Sequence, residues 1–331
     1  MATIFLSHSP AMLEHYYGEQ AVAGLRALGE LRINDTGDHL DTEQLIAAAR
    51  GCQVIVSDRM TAGPAPVFEQ LPDLIAFVRC AVDIRTIDVA AASAHGVLIT
   101  QASPGFIQSV AELVIGMMVD LGRHVSDAVI GYRQQQTPKA VMGRQLNGST
   151  LGVIGYGSIG RYLSQLGIAL GMRVLVCDPF VEVAEPGLQQ MELPGLLEQS
   201  DFVVCLVVAN EKTENLMDAQ AFAQMKPGAF FVNVSRGNLV DEAALTEALT
   251  SGHIAGAALD VGRAPDQMPS PALTALPNVV ATPHIGGLTP QAIAHQALET
   301  VGQVAEIIKG KAPKGAVNAA SATRLTRFQV I

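Results

Sequence analysis

The chain has 331 residues, 49% of them hydrophobic and 16% charged, which is enough apolar sequence for about two globular domains. Its formal net charge of −10 argues against a nucleic acid or an anionic membrane as a partner. No apolar run reaches the length of a membrane span and the N-terminus lacks a basic, signal-like start, so we expect a soluble protein.

The cysteines and histidines also limit the class of protein. Neither set has metal-ligand spacing, so we expect no metal. Each cysteine lies in an apolar, strand-like run and none forms a C-x-x-C pair, which favours a reduced, cytoplasmic protein. These residues are Cys52, Cys80, Cys177 and Cys205.

Short apolar runs alternate with helical patterns over the first hundred residues. This alternation predicts a parallel sheet with helices on both faces. No glycine-rich phosphate loop occurs here, so this unit is expected to hold something other than a dinucleotide. The predicted strands are residues 2–6, 31–34, 54–56, 74–78 and 97–100.

The middle of the chain predicts one long helix over residues 109–129, followed by a polar surface loop or arm over 131–148. The helix is apolar around much of its circumference, so it is buried or lies at an interface. It could be the hinge between domains, a dimer contact, or both.

A glycine motif opens the second half of the chain, where Gly155, Gly157 and Gly160 fit G-x-G-x-x-G after an apolar strand. In a dinucleotide site these glycines form the tight turn, admit the pyrophosphate and let the helix pack closely. Ser158 and Ile159 begin the helix, whose N-terminus favours phosphate. The alternative is a structural turn. Six strands are predicted here: 151–154, 174–177, 202–208, 229–234, 256–260 and 279–282.

Asp178 bears on the choice of cofactor. It ends the second of these strands, 23 residues after Gly155 (178 − 155), near the spacing of a carboxylate that holds the adenosine ribose. A carboxylate there repels a 2′-phosphate and no arginine directly follows it, so we expect NAD rather than NADP. The alternative is a solvated residue at a strand end.

Three more polar residues follow strands of this unit, at a spacing of 24 residues each (260 − 236 and 284 − 260): Arg236, Asp260 and His284. Ligands of open parallel sheets bind at the carboxyl ends of the strands, so these side chains are expected to converge. Arg236 suits a substrate carboxylate or carbonyl, and His284 suits proton exchange with a hydroxyl. Asp260 could bind the nicotinamide carboxamide. The alternatives are a salt bridge, a packed histidine and a turn cap.

After the second unit, residues 290–310 predict an amphipathic helix that packs on the first unit, and 313–317 predict an extended return. We therefore predict a discontinuous substrate domain, residues 1–101 and 288–331, around an NAD-binding domain at 102–287. The polar segment 319–331 receives no function.

Several blocks of the sequence support a closer identification. They are residues 153–160, 233–237, 240–242, 244–245, 256–261 and 282–287, with further matches at 87–88 and 109–112. These blocks resemble the D-isomer-specific 2-hydroxyacid dehydrogenases over nearly the whole chain. The resemblance implies an α/β fold of two doubly wound parallel-sheet domains, a Rossmann-type NAD domain and a flavodoxin-like substrate domain. It also implies a homodimer, with Arg236 binding the substrate and His284 as acid/base.

The chain departs from the family pattern at three places. Pro265-Asp266 stands where the family has Glu then Pro, so either Asp266 replaces the catalytic acid or the acid is missing. The loop that binds the substrate carboxylate, usually Gly-Val-Gly, reads Ala81-Val82-Asp83. A His-x-Pro block is replaced by residues 206–208, Leu-Val-Val, which predicts a more apolar nucleotide pocket.

Asp83 would repel a substrate anion unless it points away or pairs with Arg79, Arg85 or Arg59. It could instead indicate a substrate with an extra hydroxyl or amine, and Arg59 could supply a second anion contact. We predict an NAD-dependent enzyme that acts on a small 2-oxo or 2-hydroxy acid. The alternatives are a relative with an atypical substrate and an NAD-sensing binding protein.

Overall fold

The computed structural model describes residues 1–330, with the side chains of residues 266, 329 and 330 outside the description. The chain divides into two compact units. Unit 1 comprises Met1–Phe106 and Thr289–Ile331, and unit 2 comprises Ile107–Leu288. The assignment of substrate and NAD domains to residues 1–101 with 288–331 and to 102–287 stays a prediction.

Unit 1 is built on a five-stranded parallel sheet of order β2-β1-β3-β4-β5. This is the strand order of flavodoxin-like folds. The central strands β3 and β4 are buried at every residue because helices cover both faces. The strands are β1 (Ala2–Leu6), β2 (Gly29–Ile33), β3 (Val54–Ser57), β4 (Ala76–Arg79) and β5 (Leu98–Gln101). The helices are α1 (Pro10–Tyr16), α2 (Glu19–Leu28), α3 (Thr42–Ala48), α4 (Ala65–Gln70), α5 (Val89–Ala94) and the returning α13 (Pro290–Ile308).

The returning helix α13 packs on unit 1, as predicted. Its Ala297, Val304 and Ile307 belong to the same buried cluster as residues of β1, β3 and β4. The tail, which received no function from the sequence, packs there in 3-10 turns. Leu325 joins this cluster, and Arg324 donates hydrogen bonds to the Leu71 and Leu74 carbonyl oxygens at 2.9 and 2.8 Å.

Unit 2 contains a seven-stranded parallel sheet of order β12-β11-β10-β9-β6-β7-β8. The six predicted strands are all present. The sequence missed β8, which lies at the edge and has three residues, none of them buried, so it lacks an apolar signal. The strands are β6 (Thr150–Ile154), β7 (Arg173–Cys177), β8 (Leu188–Gln190), β9 (Phe202–Cys205), β10 (Phe230–Asn233), β11 (Gly256–Leu259) and β12 (Val279–Ala281).

Two helices replace the single helix predicted over 109–129. They are α6 (Ile107–Arg123) and α7 (Val125–Arg133), separated by His124 in a left-handed conformation (φ 55°). The break is stabilised by Asp120, whose carboxylate accepts hydrogen bonds from the amide and the hydroxyl of Ser126. Six apolar residues of α6 are buried, whereas no residue of α7 is. The other helices are α8 (Ser158–Ala169), α9 (Leu193–Gln199), α10 (Ala219–Gln224), α11 (Glu242–Thr250) and α12 (Pro271–Thr274).

Within the described residues, no helix combines the length and the apolar character that a bilayer crossing demands.

Candidate active site

The glycine motif forms the turn between β6 and α8. Gly155 has φ 96°, and a Cβ there would lie 2.9 Å from the backbone of Leu206. A Cβ on Gly160 would lie 2.2 Å from the Gly155 carbonyl oxygen, because helix and strand are in close contact. A Cβ on Gly157 would meet no atom within 4 Å. The protein's own packing therefore requires glycine at 155 and 160, but not at 157.

The open space at Gly157 fits a dinucleotide. A ligand that approaches the backbone there, such as a pyrophosphate, supplies the reason for glycine that the protein packing does not. The twelve-residue helix α8 begins at Ser158, has no side-chain cap and directs its first amides toward this space. The open space at Gly157, which the sequence motif alone does not show, therefore supports NAD binding at this turn.

Asp178 follows β7 and holds the glycine turn. Its Oδ2 accepts a hydrogen bond from the Tyr156 amide at 2.7 Å, and its Oδ1 accepts one from the Phe180 amide at 2.9 Å. A carboxylate has about four acceptor positions, so lone pairs remain for ribose hydroxyls. Two exposed apolar side chains follow the strands on either side of β6: Phe180, after β7, is 92% exposed and Val208, after β9, is 77% exposed. Val208 belongs to the segment for which the sequence predicted an apolar pocket.

Arg236 and His284 follow β10 and β12, the two neighbours of β11. Two strand spacings separate β10 from β12, roughly 10 Å, which long side chains can bridge. The Arg236 loop is held by Asn233, a buried residue that donates to the Arg236 carbonyl oxygen at 2.9 Å and accepts from the Ser235 amide at 3.1 Å. A Cβ on Gly237 would lie 2.1 Å from Gly262, so the loops after β10 and β11 are in contact.

Asp260, which the sequence assigned to the cofactor, is 1% exposed and bonded to the His284 loop. Its carboxylate accepts hydrogen bonds from the Thr282 hydroxyl and from the amides of Ile285 and Gly286. Asp266 lies in a 3-10 turn after β11, and its side chain is outside the described part of the chain. Its role as the acid beside His284 stays a prediction.

The loop after β4 has the properties of an anion-binding segment. Among the described residues, the amides of Ala81 and Val82 find no acceptor. Asp83 pairs with Arg85, whose Nη2 lies 2.6 Å from Oδ2 and whose Nε donates to both carboxylate oxygens. The repulsion of an anion that the sequence predicted for Asp83 is therefore offset by a neighbouring charge.

Arg59 lies on an exposed turn after β3 that a buried carboxylate organises. The Asp58 Oδ1 accepts hydrogen bonds from the Met60 and Thr61 amides at 2.7 and 3.0 Å, and its Oδ2 accepts one from the Ser7 hydroxyl at 2.6 Å. Burial opposes ionisation of Asp58, but the hydrogen bonds from Ser7 and Thr61 hold its pKa below the ordinary value.

Arg79 and His8 complete this buried cluster. Arg79 is fully buried at the end of β4 and donates to the carbonyl oxygens of Asp58 and Thr61 and to the Thr86 hydroxyl. Burial lowers its pKa to about 10, which keeps the charge at neutral pH. Burial also lowers the pKa of His8 to about 4, so its imidazole is neutral.

Sequence reasoning missed this cluster. The signal was present, since Ser7, Asp58 and Arg79 lie at the ends of β1, β3 and β4. Among the described residues, no three histidine, cysteine, aspartate or glutamate side chains gather as a metal site would require.

Comparisons with known proteins independently support the family resemblance seen in the sequence. The model of the D-isomer specific 2-hydroxyacid dehydrogenase NAD-binding domain matches residues 115–286. A hydroxypyruvate reductase of Thermotoga maritima is 32% identical over 272 residues, 81% of this chain and 89% of the relative. A D-3-phosphoglycerate dehydrogenase of Rattus norvegicus is 35% identical over 290 residues, 86% of this chain, but the match spans only 54% of that protein. The structure of D-lactate dehydrogenase from Escherichia coli has a TM-score of 0.80 at 28% identity, covering 96% of this chain and 100% of that one.

Proposed function

The chain belongs to the D-isomer specific 2-hydroxyacid dehydrogenase family, and on that basis we propose that Arg236 and His284 interconvert a small 2-oxo acid and its D-2-hydroxy acid. Family membership makes the chain an NAD-dependent oxidoreductase. When bound, NAD(H) would supply or accept the hydride at C2 of the substrate. The observation that carries the proposal is the position of Arg236 and His284 after the two strands that flank β11.

Each residue has a separate task. The Arg236 guanidinium is always charged and forked, so it orients the substrate carboxylate and polarises the 2-oxo group. The His284 imidazole donates a proton to the 2-oxo oxygen during reduction and takes it back during oxidation. Asp266 is the proposed partner of His284.

Residues of the cofactor site hold NAD without taking part in proton transfer. The amides at Gly157, Ser158 and Ile159 receive the pyrophosphate, and the close packing at Gly155 and Gly160 keeps the turn in shape. Asp178 accepts from the ribose hydroxyls.

In unit 1, the Ala81 and Val82 amides are proposed to bind the substrate carboxylate, with the charge of Asp83 offset by Arg85. Arg59 is proposed as a contact for a second anionic group, because it is exposed and has no ion pair within the described chain. Hydroxypyruvate is the first substrate to try, since a hydroxypyruvate reductase covers most of the chain.

The test follows NADH oxidation at 340 nm with glyoxylate, hydroxypyruvate, phenylpyruvate and a 2-oxo dicarboxylate. His284→Ala is expected to lower kcat by about 10²- to 10⁴-fold, as loss of a general acid does. Asp266→Asn should shift the pH profile of kcat. The control is His15→Gln, an exposed histidine of α1. No turnover on any acid, with NADH still bound tightly, would point to a nucleotide sensor instead.

We further propose a homodimer formed through α7. Four of its side chains are between 41 and 67% exposed although they are apolar or aromatic. Three of them, Val125, Val129 and Tyr132, recur at i, i+4 and i+7 on one face of the helix, which is typical of a contact surface. The fourth is Ile130. Sedimentation equilibrium should give a dimer for the wild type and a monomer for Val129→Glu.

We place the protein in the cytoplasm, a proposal supported by its four free cysteines. Fractionation of cells that express a tagged chain tests this placement.

A further inference from the structure

The segment from Gly262 to Met268, after β11, contains the proposed acid Asp266 and is called the acid loop below. Two backbone hydrogen bonds close it. The Gly262 amide donates to the Gln267 carbonyl oxygen at 2.8 Å, and the Ala264 amide donates to the Met268 carbonyl oxygen at 3.1 Å. Gln267 has φ 59°, a left-handed backbone that residues other than glycine seldom adopt. Such a loop keeps one shape only when its surroundings hold it.

Arg263 connects the acid loop to its surroundings. Its Nε and Nη2 lie 3.2 and 3.1 Å from the Val240 carbonyl oxygen, and Nη2 lies 3.1 Å from the Asn238 carbonyl oxygen. Nη2 also lies 2.5 Å from the side-chain oxygen of Asn215 and 2.8 Å from a carboxylate oxygen of Glu214. These partners follow β9 and β10, so one side chain joins the acid loop to two neighbouring loops.

The two carbonyl oxygens belong to the segment that carries Arg236. A 3-10 turn, Gly237–Leu239, begins directly after Arg236. Carbonyl oxygens at the end of a helical turn find no donor within it, and the guanidinium of Arg263 offers N–H groups to them. A Cβ on Gly237 would lie 2.1 Å from the backbone of the acid loop. The segments of Arg236 and Asp266 are therefore packed together and bonded through Arg263.

The hydrogen bonds of Arg263 matter more here than its charge. The Arg263 and Glu214 side chains are 37 and 41% exposed, so water screens their ion pair and its contribution is small. The carbonyl oxygens contact a planar guanidinium whose N–H groups point at fixed angles, which a lysine ammonium cannot reproduce. The shape of the guanidinium is thus the property that the neighbouring loops use.

We infer that Arg263 is a positioning residue, which fixes the acid loop so that Asp266 can act on His284. The inference rests on the proposed function, in which Asp266 is the partner of His284. Asp266 stands one position later than the acid of the family pattern, so its place depends on the path of the loop. Loss of Arg263 should therefore affect proton transfer and leave the affinity for NADH unchanged.

Arg263→Met is expected to lower kcat with the best 2-oxo acid by about tenfold or more, since small displacements of a catalytic group are costly. The alkaline limb of its kcat profile in reduction should move to lower pH, as in Asp266→Asn, because a neighbouring carboxylate favours the protonated imidazole. Arg263→Lys, which keeps the charge and loses the fork, should fall between Arg263→Met and the wild type. The control is Glu214→Gln, which removes only the exposed ion pair and should keep the wild-type kcat and pH profile.

A double mutant decides whether Arg263 acts through Asp266. In an Asp266→Asn background, Arg263→Met should cause little further loss of kcat, because the effects of residues in one network do not add. The measurements are steady-state kinetics across pH, fluorescence titration of NADH and thermal melting. If Arg263→Met fails to fold, Arg263→Lys replaces it in the double mutant.

Three results would overturn the inference. They are an equal loss of kcat in both backgrounds, a wild-type kcat and pH profile in Arg263→Met, and a main effect on the KM or on NADH binding at unchanged kcat. Wild-type turnover in both His284→Ala and Asp266→Asn would instead refute the proposed function.

Discussion

Unit 1 and unit 2 each contain an aspartate that is 1% exposed and follows a sheet strand, but the two carboxylates bind different partners. Asp58 accepts from the two amides of its own turn, Met60 and Thr61, and lies beside the buried Arg79. Asp260 accepts from a loop that follows a different strand, through one hydroxyl and two amides, which are neutral donors. The surroundings of Asp58 place two charged groups in the interior of unit 1, whereas Asp260 connects the end of β11 to the loop after β12.

This difference separates stability from catalysis. Buried charges are costly when a partner is lost. Substitution or acid titration of the buried cluster of Asp58, Arg79 and His8 in unit 1 should therefore cause the largest losses in the free energy of unfolding. Neutral hydrogen bonds that shape the His284 loop should instead affect turnover.

Arg79→Met removes the buried cation and leaves the carbonyl oxygens of Asp58 and Thr61 without their donor. We expect the free energy of unfolding to fall by about 3–5 kcal/mol in urea titrations, as when a buried charge loses its partner. Arg85→Met, at an exposed cation, should cost no more than about 0.5 kcal/mol. Equal losses in the two variants would refute the view that unit 1 depends on buried charge.

Because of His8, we expect the stability of unit 1 to fall at acidic pH. Its pKa is lowered by burial to about 4, whereas an unfolded histidine titrates near 6.5. Between these values the unfolded chain binds a proton that the folded chain does not, so stability is complete above about pH 6.5 and falls as the pH drops toward 4. The loss is on the order of 3 kcal/mol over this window. Below it, the lowered pKa of Asp58 adds a further loss.

The measurement is urea unfolding at half-unit steps of pH. His8→Phe should flatten the profile between pH 6.5 and 4, while His15→Gln on the surface of α1 should not. A profile that is unchanged in His8→Phe would show that another group is responsible.

Gly157→Ala tests whether a change in the glycine turn of unit 2 can weaken cofactor binding without lowering stability. The added Cβ meets no protein atom within 4 Å, so the melting temperature should be unchanged. We expect NADH to bind at least about tenfold more weakly, because the methyl group occupies the space for the pyrophosphate. Gly160→Ala is the counterpart, since its Cβ would lie 2.2 Å from the Gly155 oxygen and should lower the melting temperature. Tight NADH binding by Gly157→Ala would show that the pyrophosphate does not bind at this position.

Arg85→Gln tests the loop after β4, one of the parts of unit 1 to which we assign substrate binding. The Asp83–Arg85 pair is exposed, so stability should change by less than about 0.5 kcal/mol. The KM for the 2-oxo acid should rise several-fold at unchanged kcat, because the Asp83 carboxylate loses its neutralising partner next to the anion-binding amides. Lys309→Gln, in an exposed pair with Glu306, is the control and should leave the KM unchanged. An unchanged KM in Arg85→Gln would exclude the loop from substrate binding.

Much of the fold could be predicted because its signals are local. The strands of both sheets are short apolar runs, and only β8 escaped, since none of its three residues is buried. The break at His124 was missed because the apolar pattern continues through it, and the bonds from Asp120 to Ser126 that stabilise it leave no periodic signal. The family and its cofactor followed from the glycine and strand-end motifs.

The site was less predictable than the fold. Arg236 and His284 could be selected because each lies three residues after the end of a strand, yet their roles stay predictions. The donors of Asp260 could not be foreseen, because they lie 22 to 26 residues away and depend on the contact between β11 and β12.

Residue order along the chain was sufficient for the fold class, the phosphate turn and the family, since each rests on spacing over a few residues to about twenty-five. Folding in three dimensions decided which distant polar groups meet. Asp58 meets Ser7 at a separation of 51 residues, and Asp260 meets the His284 loop. Hydrogen bonds form over about 3 Å, and only the register and order of the strands bring such distant groups that close.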